Sequence, residues 1–157
     1  MRSRKPPKRV LQPDPIYNSR LLTRFINKVM IDGKKSTAQK QVYRALDIIE
    51  KTGKNPVSIF EGAIANVSPR MEVRPRRVGG ASYQVPVEVR GHRKEALAIR
   101  WLIGGARGRS NSQFKTFAEK LAAELMDASS GTGSAIKKRE DISRMAEANR
   151  AFSHFKW

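Results

Sequence analysis

The segment from residue 71 to residue 89 is the feature that most narrows the folds open to this chain. Apolar residues occupy every second position from Tyr83 to Val89, with polar residues or proline between them. A period of two is typical of a half-buried strand, and the preceding Gly79-Gly80 can adopt the positive φ angles of a two-residue reversal. The segment therefore predicts a β-hairpin.

Two prolines restrict how this hairpin can be used. Pro75 and Pro86 each remove an amide donor from one limb, so neither limb suits the interior of a larger sheet. The first limb also carries Arg74, Arg76 and Arg77. We therefore predict an isolated basic arm that contacts phosphate. Because isolated hairpins are marginal in water, its outer part should rest on another surface.

Helical periodicity covers most of the remaining chain. Apolar residues recur at intervals of three and four in six segments bounded by capping residues, glycine or proline. The predicted helices run from Ser19 to Asp32-Gly33, from Ser36 or Thr37 to near Gly53, from Asn55-Pro56 to Ser68-Pro69, from Lys94 to Arg107, from Ser110 or Ser112 through Met126, and from Ser134 to Asn149. Gly104, Gly105 and Gly108 are expected to loosen the chain after the fourth helix. The predicted fold class is mainly α, a single domain of about six helices with a protruding two-stranded basic β-hairpin.

The charge balance restricts the partners. The chain carries 32 Lys and Arg against 14 Asp and Glu, a formal net charge of +18. Such an excess opposes compaction unless a polyanion neutralises it, which favours nucleic acid or an anionic membrane. No apolar run approaches the roughly 20 residues of a membrane span, and no apolar signal-peptide segment follows the basic N-terminus. Nucleic acid is therefore the predicted partner, and no membrane is expected.

Few residues are available for catalysis or metal binding. Cysteine is absent, and His92 and His154 stand beside basic residues without a candidate nucleophile or acid. Glu140-Asp141 is more simply explained as an ion-pair partner for basic residues on the same helix. The glycine-rich segment 104–110 lacks the Gly-Lys-Ser/Thr ending of a phosphate loop. We therefore expect no enzymatic activity, no metal and no cofactor.

Basic residues concentrate at four places, namely residues 2–9, 74–77, 90–109 and 137–150. One such cluster is a common surface feature, but four of them with this net charge favour a nucleic-acid-binding protein. Arginine, whose planar fork binds phosphate oxygens bidentately, outnumbers lysine in the hairpin and in the glycine-rich segment. The sequence contains no aromatic RNA-recognition motif, zinc finger or GXXG clamp. Recognition should therefore depend on RNA shape and phosphate positions.

The chain divides into three parts of different character. Residues 1–18 hold five basic residues and four prolines, which predicts a basic, extended N-terminal arm without a core of its own. Residues 19–149 are predicted to form the helical RNA-binding domain, with the hairpin at about 71–89. Residues 150–157 form an aromatic and basic C-terminal tail, whose alternation of aromatic and polar residues indicates a segment that lies on a partner surface.

Several motifs, taken together and in order, are familiar. They are Asp14-Pro15, Asp32-Gly33-Lys34-Lys35-Ser36, Arg76-Arg77-Val78-Gly79-Gly80, Tyr83-Gln84-Val85-Pro86-Val87-Glu88-Val89, Ala98-Ile99-Arg100-Trp101 and Met145-Ala146-Glu147-Ala148-Asn149-Arg150-Ala151-Phe152. With these motifs the chain resembles, from about residue 11 to its C-terminus, the family of the seventh protein of the small ribosomal subunit in its bacterial and plastid form. That family is known as a mostly helical domain with a protruding β-hairpin.

The resemblance implies a structural ribosomal protein and not an enzyme. It implies a primary binder of small-subunit ribosomal RNA that nucleates assembly of the subunit head and lies near the exit-site tRNA and the messenger RNA path. The implied protein neighbours are the small-subunit proteins numbered nine and eleven. The implied location is the bacterial cytoplasm, on the ribosome, or the plastid stroma.

Two sets of candidate site residues result from the basic clusters and the resemblance. The candidate RNA-binding residues are Arg2, Arg4, Lys5, Lys8, Arg9, Lys34, Lys35, Arg74, Arg76, Arg77, Gly79, Gly80, Arg93, Lys94, Arg107, Arg109 and Lys115. The resemblance further implies that the final helix and tail lie toward the exit-site face. The candidates on that face are Lys137, Lys138, Arg144, Asn149 and Arg150.

Two other classes of protein share part of this pattern. A histone-like architectural DNA-binding protein also joins a helical body to a basic β-arm. Such an arm often carries an apolar proline wedge at its tip, where this chain has Gly79-Gly80, and a DNA clamp would not need five other helices. An RNA-processing enzyme would need an acid–base constellation that the sequence does not supply. The architectural DNA-binding protein is therefore the alternative to the ribosomal role.

Overall fold

The computed structural model describes residues 10–155, so the candidates at Arg2, Arg4, Lys5, Lys8 and Arg9 and the last two residues of the tail lie outside the described residues. The elements within it are, in order, α1 (Arg20–Val29), α2 (Lys35–Lys51), α3 (Pro56–Val67), β1 (Met71–Val78), β2 (Ala81–Glu88), α4 (Gly91–Gly108), α5 (Phe117–Ser129), α6 (Ser134–Ala148) and a terminal 3-10 helix (Arg150–Phe155). The predicted fold class, mainly α with a two-stranded hairpin, is confirmed.

Helix α5 lies at the centre of the helical domain. It packs against α2, α3 and α4, and Leu121 and Leu125 are fully buried. Phe25 of α1 meets Phe60 of α3 edge to face, with ring centroids 5.3 Å apart. The apolar stripes predicted from the sequence thus join into one core, and this core positions the basic helices around it.

Local sequence signals account for the starts of α1 and α3. Ser19 Oγ accepts a hydrogen bond from the Leu22 amide, and Asn55 Oδ1 accepts from the amides of Val57 and Ser58. Each of these side chains satisfies amides that have no partner within the helix. Both predicted caps are confirmed.

The predicted cap of α2 is wrong. The helix begins at Lys35, ahead of both Ser36 and Thr37, and no side chain in the described part of the chain caps it. The preceding Asp32 and Gly33 have φ angles of 52° and 73°, so the loop itself turns the chain into the helix. Backbone geometry at this loop therefore decides where α2 begins.

The predicted start of α5 is also wrong. The helix begins at Phe117, and its cap is Thr116, whose Oγ1 accepts from the Glu119 amide while the Glu119 carboxylate accepts from the Thr116 amide. This reciprocal capping box satisfies two donors at once. Ser110 Oγ instead accepts from the Ser112 amide, which closes a local turn before the helix.

The fourth helix is longer than predicted at both ends. It runs from Gly91 to Gly108 instead of from Lys94 to Arg107, so the glycines expected to loosen the chain lie inside it. At Gly105 an added Cβ would lie 2.5 Å from Glu124 Oε1. It would also collide with Ser134 Oγ at the start of α6, so the glycine serves the close packing of α4 on α5 and α6 and does not end the helix.

The hairpin is the predicted two-stranded antiparallel sheet. Its strands are joined by Gly79 and Gly80, whose φ angles of 58° and 89° define a two-residue turn with both central residues in the left-handed region. One detail differs from the prediction, because Pro86 on the expected polar face is buried. Val73, which pairs with Pro86, lines a cleft with residues of α6, so α6 covers this face near the hairpin base.

The aromatic tail rests on the hairpin. Phe152 and Phe155 of the 3-10 helix place their rings 5.3 Å and 5.2 Å from the ring of Tyr83 on β2. The sequence predicts that both the tail and the hairpin need a supporting surface, and each supplies that surface for the other. The apolar contact stiffens a two-stranded sheet that would be marginal alone.

The described part of the leader is attached to the helical domain. Asp14 is buried, and its Oδ2 accepts hydrogen bonds from the amides of Ile16 and Tyr17. Its Oδ1 accepts from the Tyr43 hydroxyl of α2 at 2.8 Å. Burial and the bond to this carboxylate raise the pKa of Tyr43. Asp14 therefore joins the turn at residues 14–17 to α2.

Candidate nucleic-acid interface

The base of the hairpin holds one carboxylate between two arginines. Glu72 of β1 is 6% exposed, and it pairs with Arg74 on the same strand and, at 2.8 Å, with Arg93 at the start of α4. Because two guanidinium groups share one carboxylate, a positive charge remains uncompensated here. Arg74 and Arg93 thus help to hold the hairpin on α4, while their side chains stay 44% and 51% exposed.

The tip of the hairpin combines basic side chains with a turn made of two glycines, whose backbone is accessible. Arg77, Gly79 and Gly80 are exposed, and Arg76 is half-buried. The two glycines have no side chain that could keep a sugar-phosphate strand away from the turn. The tip can therefore bring arginine donors and backbone groups to the same phosphate.

A cleft between α1 and α4 brings further basic side chains together. Arg20, Arg24 and Lys28 of α1 line it with Arg100 of α4, around a volume of about 610 Å³. An ion pair between Arg24 and Glu95 joins the two helices across the cleft. None of these four basic residues is among the sequence candidates. The spacing of four between the residues on α1 places them on one helix face, and this signal could have found them.

The loop before α2 and the first residue of α2 carry two candidates, and a third, Arg107 of α4, lies in the same region. Lys34 and Lys35 are exposed. Arg107 of α4 reaches the same region, where its Nη2 donates to the Val29 carbonyl at the end of α1, at 3.1 Å. Lys34 and Arg107 line the same cavity, so the fold unites candidates that are far apart in sequence.

Arg109 belongs to an internal network. Its side chain is 18% exposed, donates from Nε to Glu124 of α5 at 2.8 Å, and pairs with Asp127. Burial alone lowers the pKa of Arg109, but the hydrogen bonds to Asp127 and Glu124 outweigh it and raise the pKa. An RNA contact for Arg109 stays a prediction, since its described side-chain contacts are to Glu124, Asp127 and Phe114 of the protein itself.

The same carboxylate reaches the start of α6. Glu124 is fully buried, and its Oε1 accepts hydrogen bonds of 2.9 Å from Ser134 Oγ and from the Ala135 amide. One side chain of α5 therefore joins the end of α4 to the first turn of α6. This junction could not be predicted from the sequence because its members come from separate elements, and no local pattern marks Glu124 as buried.

The remaining candidates are carried by α4, by the segment before α5, and by α6. Lys94 is half-buried and Lys115 is exposed. The five candidates on α6 and just beyond it are exposed, except that Asn149 is half-buried and donates from Nδ2 to the Met145 carbonyl. These residues are Lys137, Lys138, Arg144, Asn149 and Arg150. Lys137, Lys138 and Arg144 thus add exposed positive charge to α6, and this helix also contacts the hairpin.

The two histidines are both exposed at the surface. Between residues 10 and 155, no group of three or more His, Asp or Glu is arranged to hold a metal ion. In the same part of the chain, no helix has both the length and the apolar character needed to cross a bilayer.

Comparison with known proteins identifies a family for nearly the whole chain. The family described as Ribosomal protein S7p/S5e matches residues 1–150. The chain is 60% identical over 152 residues to the Small ribosomal subunit protein uS7 of Carboxydothermus hydrogenoformans, covering 96% of each protein. The protein of the same name from Pelotomaculum thermopropionicum is 59% identical over 152 residues, again 96% of each. That from Maricaulis maris is 60% identical over 151 residues, 96% of this chain and 95% of the relative. The chain therefore belongs to the ribosomal protein S7p/S5e family of small-subunit proteins.

Proposed function

We propose that this chain is a structural, non-enzymatic protein that binds small-subunit ribosomal RNA through several basic surfaces held on one helical core. The α1–α4 cleft is the observation that carries the proposal. It places Arg20, Arg24, Lys28 and Arg100 around one concavity. Among residues 10–155, Glu95 is the one carboxylate that lines this cleft. A folded RNA supplies phosphates at fixed positions, and rigid helices can match such positions without reading bases.

The hairpin and α6 extend this surface. Arg76 and Arg77 at the hairpin tip and the lysines at 137 and 138 contribute charge beyond the cleft. Family membership supports a finer role, in which the chain is a primary RNA binder that nucleates assembly of the subunit head. In that role the hairpin and α6 lie near the exit-site tRNA and the messenger RNA, and the proteins numbered nine and eleven are neighbours. The bacterial cytoplasm or the plastid stroma is the compartment that fits this role.

The hairpin tip provides the first test. Replacing Arg76 and Arg77 together with alanine should weaken binding to small-subunit ribosomal RNA, while the helical circular-dichroism signal stays unchanged because the tip lies outside the helical core. Each lost phosphate contact should also reduce the slope of log affinity against log salt by about 0.7–0.9. For the wild-type protein, affinity should fall by about 10³–10⁵ between roughly 50 and 200 mM salt if roughly six to ten phosphates are neutralised.

A matched control removes the same charge elsewhere. Lys51 and Lys54 are exposed at the end of α2 and belong to none of the candidate sets, so their double alanine variant should retain most of the affinity. If both double variants bind equally well, the hairpin tip is not part of the interface. If wild-type protein prefers duplex DNA to the ribosomal RNA at equal salt, the alternative of an architectural DNA-binding protein replaces the proposal.

A further inference from the structure

A cavity of about 360 Å³ lies where the end of α1, the start of α2, the end of α4 and the start of α5 meet. Its volume is within the range of roughly 300–1,000 Å³ that is usual for small-ligand sites. Val29 and Ala38 are buried parts of its wall, and the ring of Phe117 is half-buried beside them. These side chains offer an apolar surface with an aromatic face, which suits a flat, unsaturated ligand.

One polar atom at this cavity has no hydrogen-bond partner among the described residues. Gln41 of α2 lines the cavity, and its Oε1 is buried without a hydrogen bond from any residue between 10 and 155. A buried acceptor in this state carries a desolvation cost that a bound donor would relieve. Nearby Gln39 shows the contrast, because its amide donates to the Tyr43 hydroxyl at 2.7 Å. Because this oxygen has almost no surface open to the cavity, a ligand donor can reach it only once the half-buried Gln41 side chain turns its amide toward the cavity. The free acceptor then favours a ligand that brings an N–H or O–H group.

The mouth of the cavity is cationic and partly apolar. Lys34 and Arg107 line it, and Ile31 beside them is 59% exposed although it is a large apolar residue. Arg107 is oriented by its bond to the Val29 carbonyl. A ligand that carries a negative group outside and a flat apolar group inside matches this arrangement.

We propose that this cavity receives one unstacked nucleotide of the bound RNA. The base would lie against Phe117, its exocyclic amino group would donate to Gln41 Oε1, and its phosphate would stay at the mouth beside Lys34 and Arg107. Adenine, cytosine and guanine carry such an amino group, and RNA-binding proteins commonly read splayed bases through hydrogen bonds and aromatic stacking. This inference rests on the proposed function, and it adds one base-reading contact to a surface that otherwise engages phosphates.

The test replaces Gln41 with methionine, which has a similar length and no amide. In the free protein, the melting temperature of Gln41→Met should equal or exceed that of wild type, because an unpartnered buried acceptor has been removed. Affinity for transcribed small-subunit ribosomal RNA should fall by about 2- to 12-fold, the effect of one hydrogen bond, with an unchanged salt slope. Dimethyl sulfate probing should show one unpaired adenine or cytosine, or one guanine in a parallel probe of its Watson–Crick edge, that wild type protects and the variant exposes.

Gln39→Met is the matched control, since it makes the same chemical change on the same helix at an amide that already has a partner. It should keep wild-type RNA affinity and base protection. Wild-type affinity and unchanged base reactivity in Gln41→Met would overturn the nucleotide site while RNA binding itself stands. A weaker complex together with a lower melting temperature would assign Gln41 a structural role and also overturn it. Failure of wild-type protein to bind the transcript would instead refute the proposed function.

Discussion

The carboxylate of Glu124 should be among the most important polar groups for the stability of this protein. It is fully buried and accepts hydrogen bonds from Arg109, Ser134 and the Ala135 amide, at 2.8, 2.9 and 2.9 Å. Replacing it with alanine leaves the Arg109 guanidinium, which is 18% exposed, without its main partner. The Ala135 amide also loses its acceptor. Removing one member of a buried ion pair typically costs about 3–5 kcal/mol.

We expect the loss of unfolding free energy in Glu124→Ala to lie within this range and not above it, because Arg109 keeps its second partner, Asp127. In a domain of this size about 1 kcal/mol shifts the melting temperature by roughly 2–4 °C, so a loss of about 10 °C should be visible. Glu124→Gln keeps the volume and one acceptor oxygen, so its cost should be smaller. Urea unfolding followed by circular dichroism would measure the free energies of unfolding.

Asp127→Ala provides the comparison. Its carboxylate pairs with the same guanidinium but is 45% exposed, and exposed ion pairs typically contribute about 0–1 kcal/mol. We therefore expect Glu124→Ala to be the most destabilising of the three variants. Equal losses for the two alanine variants would show that the buried carboxylate does not join α4, α5 and α6 as described.

Two further predictions concern packing and pH. Gly105→Ala should destabilise the protein by about 1–3 kcal/mol, because its Cβ would lie 2.5 Å from a carboxylate oxygen of α5. Gly104 lies on the same helix, and a Cβ added there would meet no atom of residues 10–155 within 4 Å. Gly104→Ala should therefore be neutral or stabilising by up to about 1 kcal/mol, and chemical denaturation of both variants would separate the two effects. Backbone amides of Thr116 and Lys115 hydrogen-bond the Glu119 carboxylate and hold its pKa below the usual 4.5. Because the folded-state pKa is depressed, this contribution is present above about pH 4.5 and is lost as pH falls through the folded value. The stability difference between wild type and Glu119→Gln should therefore shrink on going from pH 6 to pH 3, and a difference that is constant with pH would contradict the capping role.

Local rules were sufficient for the hairpin and for the caps of α1 and α3. The hairpin follows from alternation and from two glycines whose positive φ angles permit a tight turn, and Ser19 and Asn55 cap their helices because a side-chain oxygen three or fewer residues away can reach the amides. The predicted starts of α2 and α5 were wrong, because several residues could serve as the cap of each helix. At α5 the choice depended on a reciprocal pair, Thr116 with Glu119, and not on the first available serine.

By itself, the sequence determined the mainly helical class, the hairpin with its turn, the surplus of positive charge and the resemblance to a ribosomal family. The tertiary structure alone decided which charged groups face inward, because burial depends on what packs from elsewhere in the chain. Glu72 and Glu124 became buried partners of arginines, Gly105 became a packing contact inside a helix, and the tail found its support on Tyr83. Each of these outcomes requires two or more elements to meet, and no single segment contains that information.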